Sequence, residues 1–177
     1  DVYKSQGMGA ATVRAYVKAG ADVIGMDIDD ETGNSVCLEA EGSGSARYMH
    51  ADVSDLESIQ TAFAEAVGVL GGLDVLANPA GIHRAAVTGE ITVEDWDLVF
   101  AVNVRGTMIT NQEAHPYLKE SGGGSIINFG SISGQRAEAK AAAYSATKGA
   151  VHAWTRSAAG AWGQDNIRVN AILPAMH

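Results

Sequence analysis

The sequence predicts an α/β protein built on a doubly wound parallel sheet, and three observations carry that expectation. Short apolar runs alternate with amphipathic helical stretches along the whole chain, the pattern of repeated βα units. Glycines or helix-capping residues stand at several of the junctions. No repeat or linker divides the 177 residues, a length that suits one domain with a substantial core over residues 1–177.

The elements follow in order. SQGMG sets two glycines one residue apart before a helical run, Ala10 to Ala19, with Gly20 as its stop signal. ADVIGMDID, Ala21 to Asp29, reads as a buried strand ending in acids, and Asp30 to Glu41 as a second helix. GSARYMHADVSD, Gly44 to Asp55, holds a strand closed by the capping pair Ser54 and Asp55. Leu56 to Val69 is helical until Gly71 and Gly72 break it, and LDVLANPAGI, Leu73 to Ile82, runs from strand into a glycine turn. Val93 to Leu118 reads as one long helix made irregular by the small and polar residues around Asn103 and Gly106. GGGSIINFGSISG, Gly122 to Gly134, gives a glycine hinge, a strand and a serine-bearing exit loop. The alanine-rich stretch Ala141 to Gly163 is a strong helix, and IRVNAILPA, Ile167 to Ala175, is the last strand. Five strands with five helices between and after them fit an open sheet covered on both faces.

Charge and composition narrow the function. Lys and Arg number 12 against 21 Asp and Glu, a net charge of -9, which argues against nucleic-acid phosphate or an anionic membrane as the main partner. The apolar runs are broken well before a membrane-spanning length, which makes a soluble cytoplasmic protein the default expectation. Cys37 is the single cysteine, so a disulfide framework is not expected. The five histidines, His50, His83, His115, His152 and His177, lack metal-ligand spacing, so no metal site is expected.

Two constellations carry chemistry. In the first, Gly7, Met8 and Gly9 open a helix whose free N–H groups and positive dipole end can face a pyrophosphate. Asp27 follows 18 residues after Gly9, at the end of the next strand, where a carboxylate can accept both ribose hydroxyls of an adenosine. The same carboxylate repels a 2'-phosphate, and no Arg or Lys between Ser5 and Gly9 offsets it, so NAD is favoured over NADP. The plainer reading of Asp27, Asp29 and Asp30 is a solvated strand end.

The second constellation is YSATK, with Tyr144 and Lys148 four residues apart on one helical face. A phenol ordinarily loses its proton near pH ~10, and a neighbouring cation brings that value down. Such a pair serves as general acid and base in carbonyl reduction or alcohol oxidation. On its own it reads more plainly as two side chains lying together on a surface.

Taken together, GMG, Asp27, ADVSD, LDVLANPAG, VNVRG, SIINFGSISG, YSATK and IRVNAILPA resemble the short-chain dehydrogenase/reductase family, in the family's order and over nearly the whole chain. The resemblance implies a Rossmann-type fold and an NAD-dependent oxidoreductase that interconverts a secondary alcohol and a ketone. It places the catalytic residues at Asn103, Ser131, Tyr144 and Lys148, with Ser133 a weaker candidate than Ser131. By that resemblance Ser131 holds the substrate oxygen, Tyr144 passes the proton, Lys148 binds the nicotinamide ribose and favours the tyrosinate, and Asn103 holds a water in a proton relay. Asp52 and Val53 match the adenine contacts, Asn78, Ala80 and Gly81 the turn beside the ribose, and Pro174 a residue packed near the nicotinamide. It also implies a homo-oligomer, tetramer or dimer, joined through the two long helices.

The sequence departs from the family pattern in three places. The fingerprint TGxxxGxG would set its Thr at Val2 and its first Gly at Tyr3; Pro79 stands where an asparagine is usual; and PAMH ends the chain where the family usually continues into a substrate-covering segment. First and last strands are therefore expected to be missing or incomplete, in a fragment of a longer protein that is marginal on its own. Two further functions stay open on the sequence: a dinucleotide-binding or structural subunit without turnover, and an NADP-dependent 3-oxoacyl reductase. Trp154 and Trp162, on one helical face, read as core or subunit contact, and Arg136, Glu138 and Lys140 as a solvated loop. His83 and Arg84 either belong to such a loop or rim a substrate pocket.

Overall fold

The computed structural model describes residues 7–136 and 138–175, so Val2, Tyr3, Met176 and His177 lie outside the described residues. The chain divides into two compact units, residues 7–72 and 73–175, both made of parallel strands flanked by helices.

The first unit runs α1 (Met8–Lys18), β1 (Asp22–Asp27), α2 (Asp30–Leu38), β2 (Ser45–His50) and α3 (Leu56–Leu70). Helix α1 stops where Gly20 takes φ 92°, which lets Gly20 N–H reach Val17 O and Ala21 N–H reach Tyr16 O, closing the last turn. Strands β1 and β2 pair in parallel from Asp22 opposite Ser45 to Asp27 opposite His50. The buried core here includes Val17, Val36, Ile59 and Phe63. Cys37 lies in it, and burial pushes its thiol up from the ordinary value. At α3 the two expected caps separate: Asp55 accepts from the N–H groups of Glu57 and Ser58, whereas Ser54 binds the Asp52 carboxylate instead.

The second unit runs β3 (Val75–Asn78), α4 (Val93–Phe100), a π-helical stretch (Ala101–Gly106), α5 (Thr107–Glu120), β4 (Gly124–Phe129), α6 (Ala142–Trp162) and β5 (Ile167–Ile172). Helix α4, the π stretch and α5 are continuous, so the long irregular helix expected from Val93 to Leu118 forms with its widened turns at Asn103 and Gly106. Strand β4 lies between β3 and β5, all parallel, with Asn78 opposite Asn128 and Phe129 opposite Ile172. Among the described residues β1 pairs only with β2, and β3 only with β4. No described helix is long and apolar enough to cross a membrane.

A buried amide network ties the second unit together. Asn111 of α5 and Asn128 of β4 exchange reciprocal hydrogen bonds, each 3.0 Å. Asn128 also donates to Thr155 Oγ1 of α6 and accepts from Asn78 Nδ2, while Trp154 Nε1 donates to Asn111 Oδ1. Both Asn111 and Asn128 have 0 % exposure, so losing one strands several polar groups away from water. Asn128→Ala is expected to lower the unfolding free energy by about 3 kcal/mol in urea denaturation. A loss under about 1 kcal/mol would mean that water replaces the missing amide.

Candidate active site

The second unit gathers all four residues matched to catalysis around the C-terminal ends of its strands and the start of α6. Lys148, one turn beyond Tyr144, is 4 % exposed and donates from Nζ to Phe129 O at 2.7 Å. Its Nζ also stands 5.5 Å from the centroid of the Tyr144 ring. Burial of the ammonium brings its pKa down to about 8, because a charge is costly away from water. The single bond to Phe129 O occupies one of three N–H donors and leaves two for a ligand.

Asn103 is buried in the π-helical stretch, with its amide held by three hydrogen bonds. Its Oδ1 accepts from Ile82 N–H at 2.8 Å, while its Nδ2 donates to Ile82 O at 2.9 Å and to Thr147 Oγ1 at 3.0 Å. Thr147 in turn donates to Tyr144 O at 2.7 Å. The side chain of Asn103 thus ties the loop after β3 to the helix that carries Tyr144 and Lys148. Its backbone carbonyl accepts from Thr107 Oγ1.

Gly81 lies on that loop. A Cβ there would sit 3.3 Å from Asn103 Oδ1 and 3.4 Å from Lys148 Nζ, so any side chain would fill the space beside the ammonium. Asn78, two residues before Ala80, directs its amide to Asn128 and braces the strand end. Ala80 is exposed.

Ser131 follows β4 and is 7 % exposed. The flanking N–H groups bind the segment beyond β5, Gly130 N–H to Ile172 O at 2.8 Å and Ile132 N–H to Pro174 O at 3.2 Å. This is how Pro174 takes its place beside the serine loop. Ser131 Oγ accepts from Ser133 N–H at 3.2 Å, which leaves the hydroxyl proton to be given elsewhere. Ser133 directs its own hydroxyl to the Glu138 carboxylate, consistent with a loop role.

The sequence gives His83 and His152 no firm place here. His83 packs its ring 5.0 Å from that of Tyr144, tilted by 52°, and its Nε2 is buried without a hydrogen-bond partner, as is Ser145 Oγ. His152 accepts the Ser131 N–H at Nε2, 3.3 Å away. The only signal for His152 in the sequence is its position four residues after Lys148 on the same helical face.

In the first unit, Gly7 caps α1 and Met8 and Gly9 form its first turn, which holds no acidic residue. Asp27 closes β1; its Oδ1 accepts from Asp29 N–H at 3.0 Å, and its carbonyl accepts from Tyr48 OH at 2.7 Å. Asp52 follows β2, its Oδ1 holding the Ser54 N–H and hydroxyl, with Val53 half-buried beside it. Tyr48 and His50 both bind the exposed Asp30 carboxylate, which holds Asp30 below the usual carboxylate range and pushes Tyr48 upward, burial contributing most to the latter. Among the described residues no cluster of three or more His, Cys, Asp or Glu could hold a metal ion.

Taken unit by unit, the residues suit a nicotinamide dinucleotide: the second unit has a buried lysine with two spare N–H groups and a glycine cradle beside them, and the first has a helix start free of acid and a carboxylate at the end of β1.

Comparison with known proteins agrees. Residues 4–177 match the profile of short chain dehydrogenases. A 3-alpha-(or 20-beta)-hydroxysteroid dehydrogenase of Mycobacterium bovis is 40% identical over 97% of this chain and 65% of its own length. A D-threitol dehydrogenase of Mycolicibacterium smegmatis is 33% identical over 97% of this chain and 66% of its own. The crystal structure of a short chain dehydrogenase from Mycobacterium smegmatis superposes with a TM-score of 0.92 at 30% identity, covering 97% of this chain and 72% of that one. The chain therefore spans about two thirds of the length of these relatives. With the profile matched along almost its full length and the fold shared, the chain belongs to the short-chain dehydrogenase/reductase family of Rossmann-fold oxidoreductases.

Proposed function

We propose that the chain carries the catalytic centre of an NAD-dependent oxidoreductase that interconverts a secondary alcohol and a ketone, with Tyr144 as general acid and base. The observation that carries this reading is the buried Lys148 ammonium, held by Phe129 O and 5.5 Å from the Tyr144 ring. A cation in that place favours the phenolate, the form that can take a proton from an alcohol near neutral pH.

The residues divide the work. Ser131, whose Oγ already accepts a backbone N–H, donates its hydroxyl proton to the substrate oxygen and orients it. Tyr144 takes the alcohol proton during oxidation and returns it to the carbonyl oxygen during reduction. When bound, NAD would supply the redox chemistry, as acceptor or donor of the hydride exchanged with the carbinol carbon. Lys148 has two N–H groups for the nicotinamide ribose, while Gly81 leaves them room. Asn103 fixes the loop that bears Gly81 and would hold a water of a proton relay. Pro174 packs near the nicotinamide, with Asn78 and Ala80 shaping the turn beside the ribose. In the first unit the α1 N-terminus at Gly7, Met8 and Gly9 faces the pyrophosphate, Asp27 accepts the adenosine ribose hydroxyls, and Asp52 and Val53 line the adenine.

The preference for NAD rests on Asp27, whose carboxylate ends β1 with no basic residue in the described first turn of α1. NADH is expected to bind at least about tenfold more tightly than NADPH, and Asp27→Asn to narrow that gap by reducing repulsion of the 2'-phosphate. Fluorescence titration of both nucleotides against both proteins checks this. Equal affinities in the unaltered chain would contradict the NAD assignment and favour an NADP enzyme. The substrate is proposed as a small alcohol or ketone, and the assembly as a homodimer or homotetramer in the cytoplasm.

A further inference from the structure

We infer that His152 is a positioning residue for Ser131, and that the reaction proposed above requires its neutral imidazole. Tyr144, Lys148 and His152 stand at successive four-residue steps along α6, forming one row on the helix. The first two address the reacting groups; the third addresses the backbone of the serine.

His152 is 7 % exposed, and its Nε2 accepts the Ser131 N–H at 3.3 Å. A ring nitrogen that accepts carries no proton, so in this arrangement the proton of the neutral ring is on Nδ1. The loop closes directly on the ring. A Cβ on Gly134 would lie 2.8 Å from His152 Cε1, and one on Gly130 would overlap Nε2 itself, so these two glycines permit the contact.

The loop's backbone donors alternate. Gly130 and Ile132 give theirs to Ile172 and Pro174, while the Ser131 N–H turns the other way, to α6. His152 therefore anchors the middle of a segment whose two sides are held by the chain beyond β5. Because Ser131 Oγ is fixed by Ser133 N–H within the same turn, the direction of the hydroxyl follows the backbone that His152 holds. Protonation would set an N–H donor against the Ser131 N–H, and the loop would have to move.

The surroundings oppose that protonation. Burial contributes most, followed by the cations Arg156 and Lys148 one turn to either side on α6, and together they hold His152 below the ordinary histidine value. Residues 130–134 of the facing loop contain no titratable side chain. The neutral form is thus favoured at neutral pH and lost only as the pH falls below the ordinary histidine value.

Nitrogen-15 NMR of the whole chain, paired with kinetics, tests this. The Ser131 amide signal is expected to titrate with the midpoint of the His152 ring, below about 6.5, and its exchange to accelerate about tenfold beyond the intrinsic pH effect once the ring is charged. The rate kcat should fall along an acid limb with the same midpoint while NADH affinity holds. His152→Gln, whose amide oxygen accepts without titrating, should keep most of the neutral-pH rate and lose the limb. His152→Leu should lose about tenfold in kcat with NADH affinity kept. A Ser131 amide indifferent to the His152 titration, or an unchanged acid limb in His152→Gln, overturns the proposal. Absence of turnover with any nucleotide would refute the catalytic reading alone, since the amide titration needs no substrate.

Discussion

Tyr144→Phe is expected to lower kcat by about 10³-fold while leaving NADH affinity within about twofold, because the change removes one proton donor and little volume. Phenylalanine can occupy the same half-buried place against His83, so the helix start and the Lys148 contact with Phe129 O are preserved. The comparison separates a catalytic centre from a dinucleotide-binding subunit. Lost turnover with retained binding is the enzyme's result; absence of turnover in both forms is the subunit's.

Lys148→Met is expected to reduce kcat/KM by about 10³-fold and, unlike the tyrosine change, to weaken NADH binding about tenfold. It has a second signature in stability. Burial holds the folded ammonium at about 8 against the usual 10.5, so between those values the unfolded chain binds more protons and stability rises with pH. The interval corresponds to on the order of 3 kcal/mol, full above the higher value and lost as pH falls through the lower. At pH 7 the methionine variant escapes that cost but leaves Phe129 O without its donor, and the two effects nearly cancel. The variant should match the parent within about 1 kcal/mol at pH 7 and fall behind it above pH 10. Denaturant unfolding across this range checks the sign; a variant much less stable at pH 7 than at pH 10 would contradict the cost assigned to the buried charge.

The fold is legible where local chemistry decides it. The alternation of apolar and amphipathic runs locates all five strands of the described chain, and Gly20, Gly71 and Gly122 end helices because each takes a positive φ there. Polar and small residues at Asn103 and Gly106 mark the π-helical stretch within an otherwise amphipathic run. Ser54 shows the limit of such reading. It has the chemistry of a cap, but Asp55 lies one residue nearer the helix and Asp52 competes for the hydroxyl.

At the site, spacing alone puts Tyr144 and Lys148 together, and the resemblance places Ser131 and Asn103 beside them. Partners supplied by distant elements are what the sequence does not display. Lys148 spends one donor on Phe129 O, 19 residues away, and Asn103 reaches Thr147 across 44 residues of chain. Asn128 interrupts the apolar run of β4 and Asn111 stands in a polar stretch of α5, and the two brace one another. Trp154, read as core or subunit contact, gives its indole N–H to Asn111 and meets Trp162 edge to face, while Trp162 stacks on His115. His152 belongs to the same class, since nothing in YSATKGAVH reveals which backbone N–H its ring will meet.

Hydride transfer between nicotinamide and a carbonyl carbon can be followed with an isotope label. NADH deuterated at the transferable position of its ring is incubated with the chain and a panel of ketones, and the products are examined by mass spectrometry. Deuterium on the carbinol carbon of at least one product alcohol, lost in Tyr144→Phe, is the predicted result. Tight NADH binding with no deuterium transferred to any ketone would contradict it.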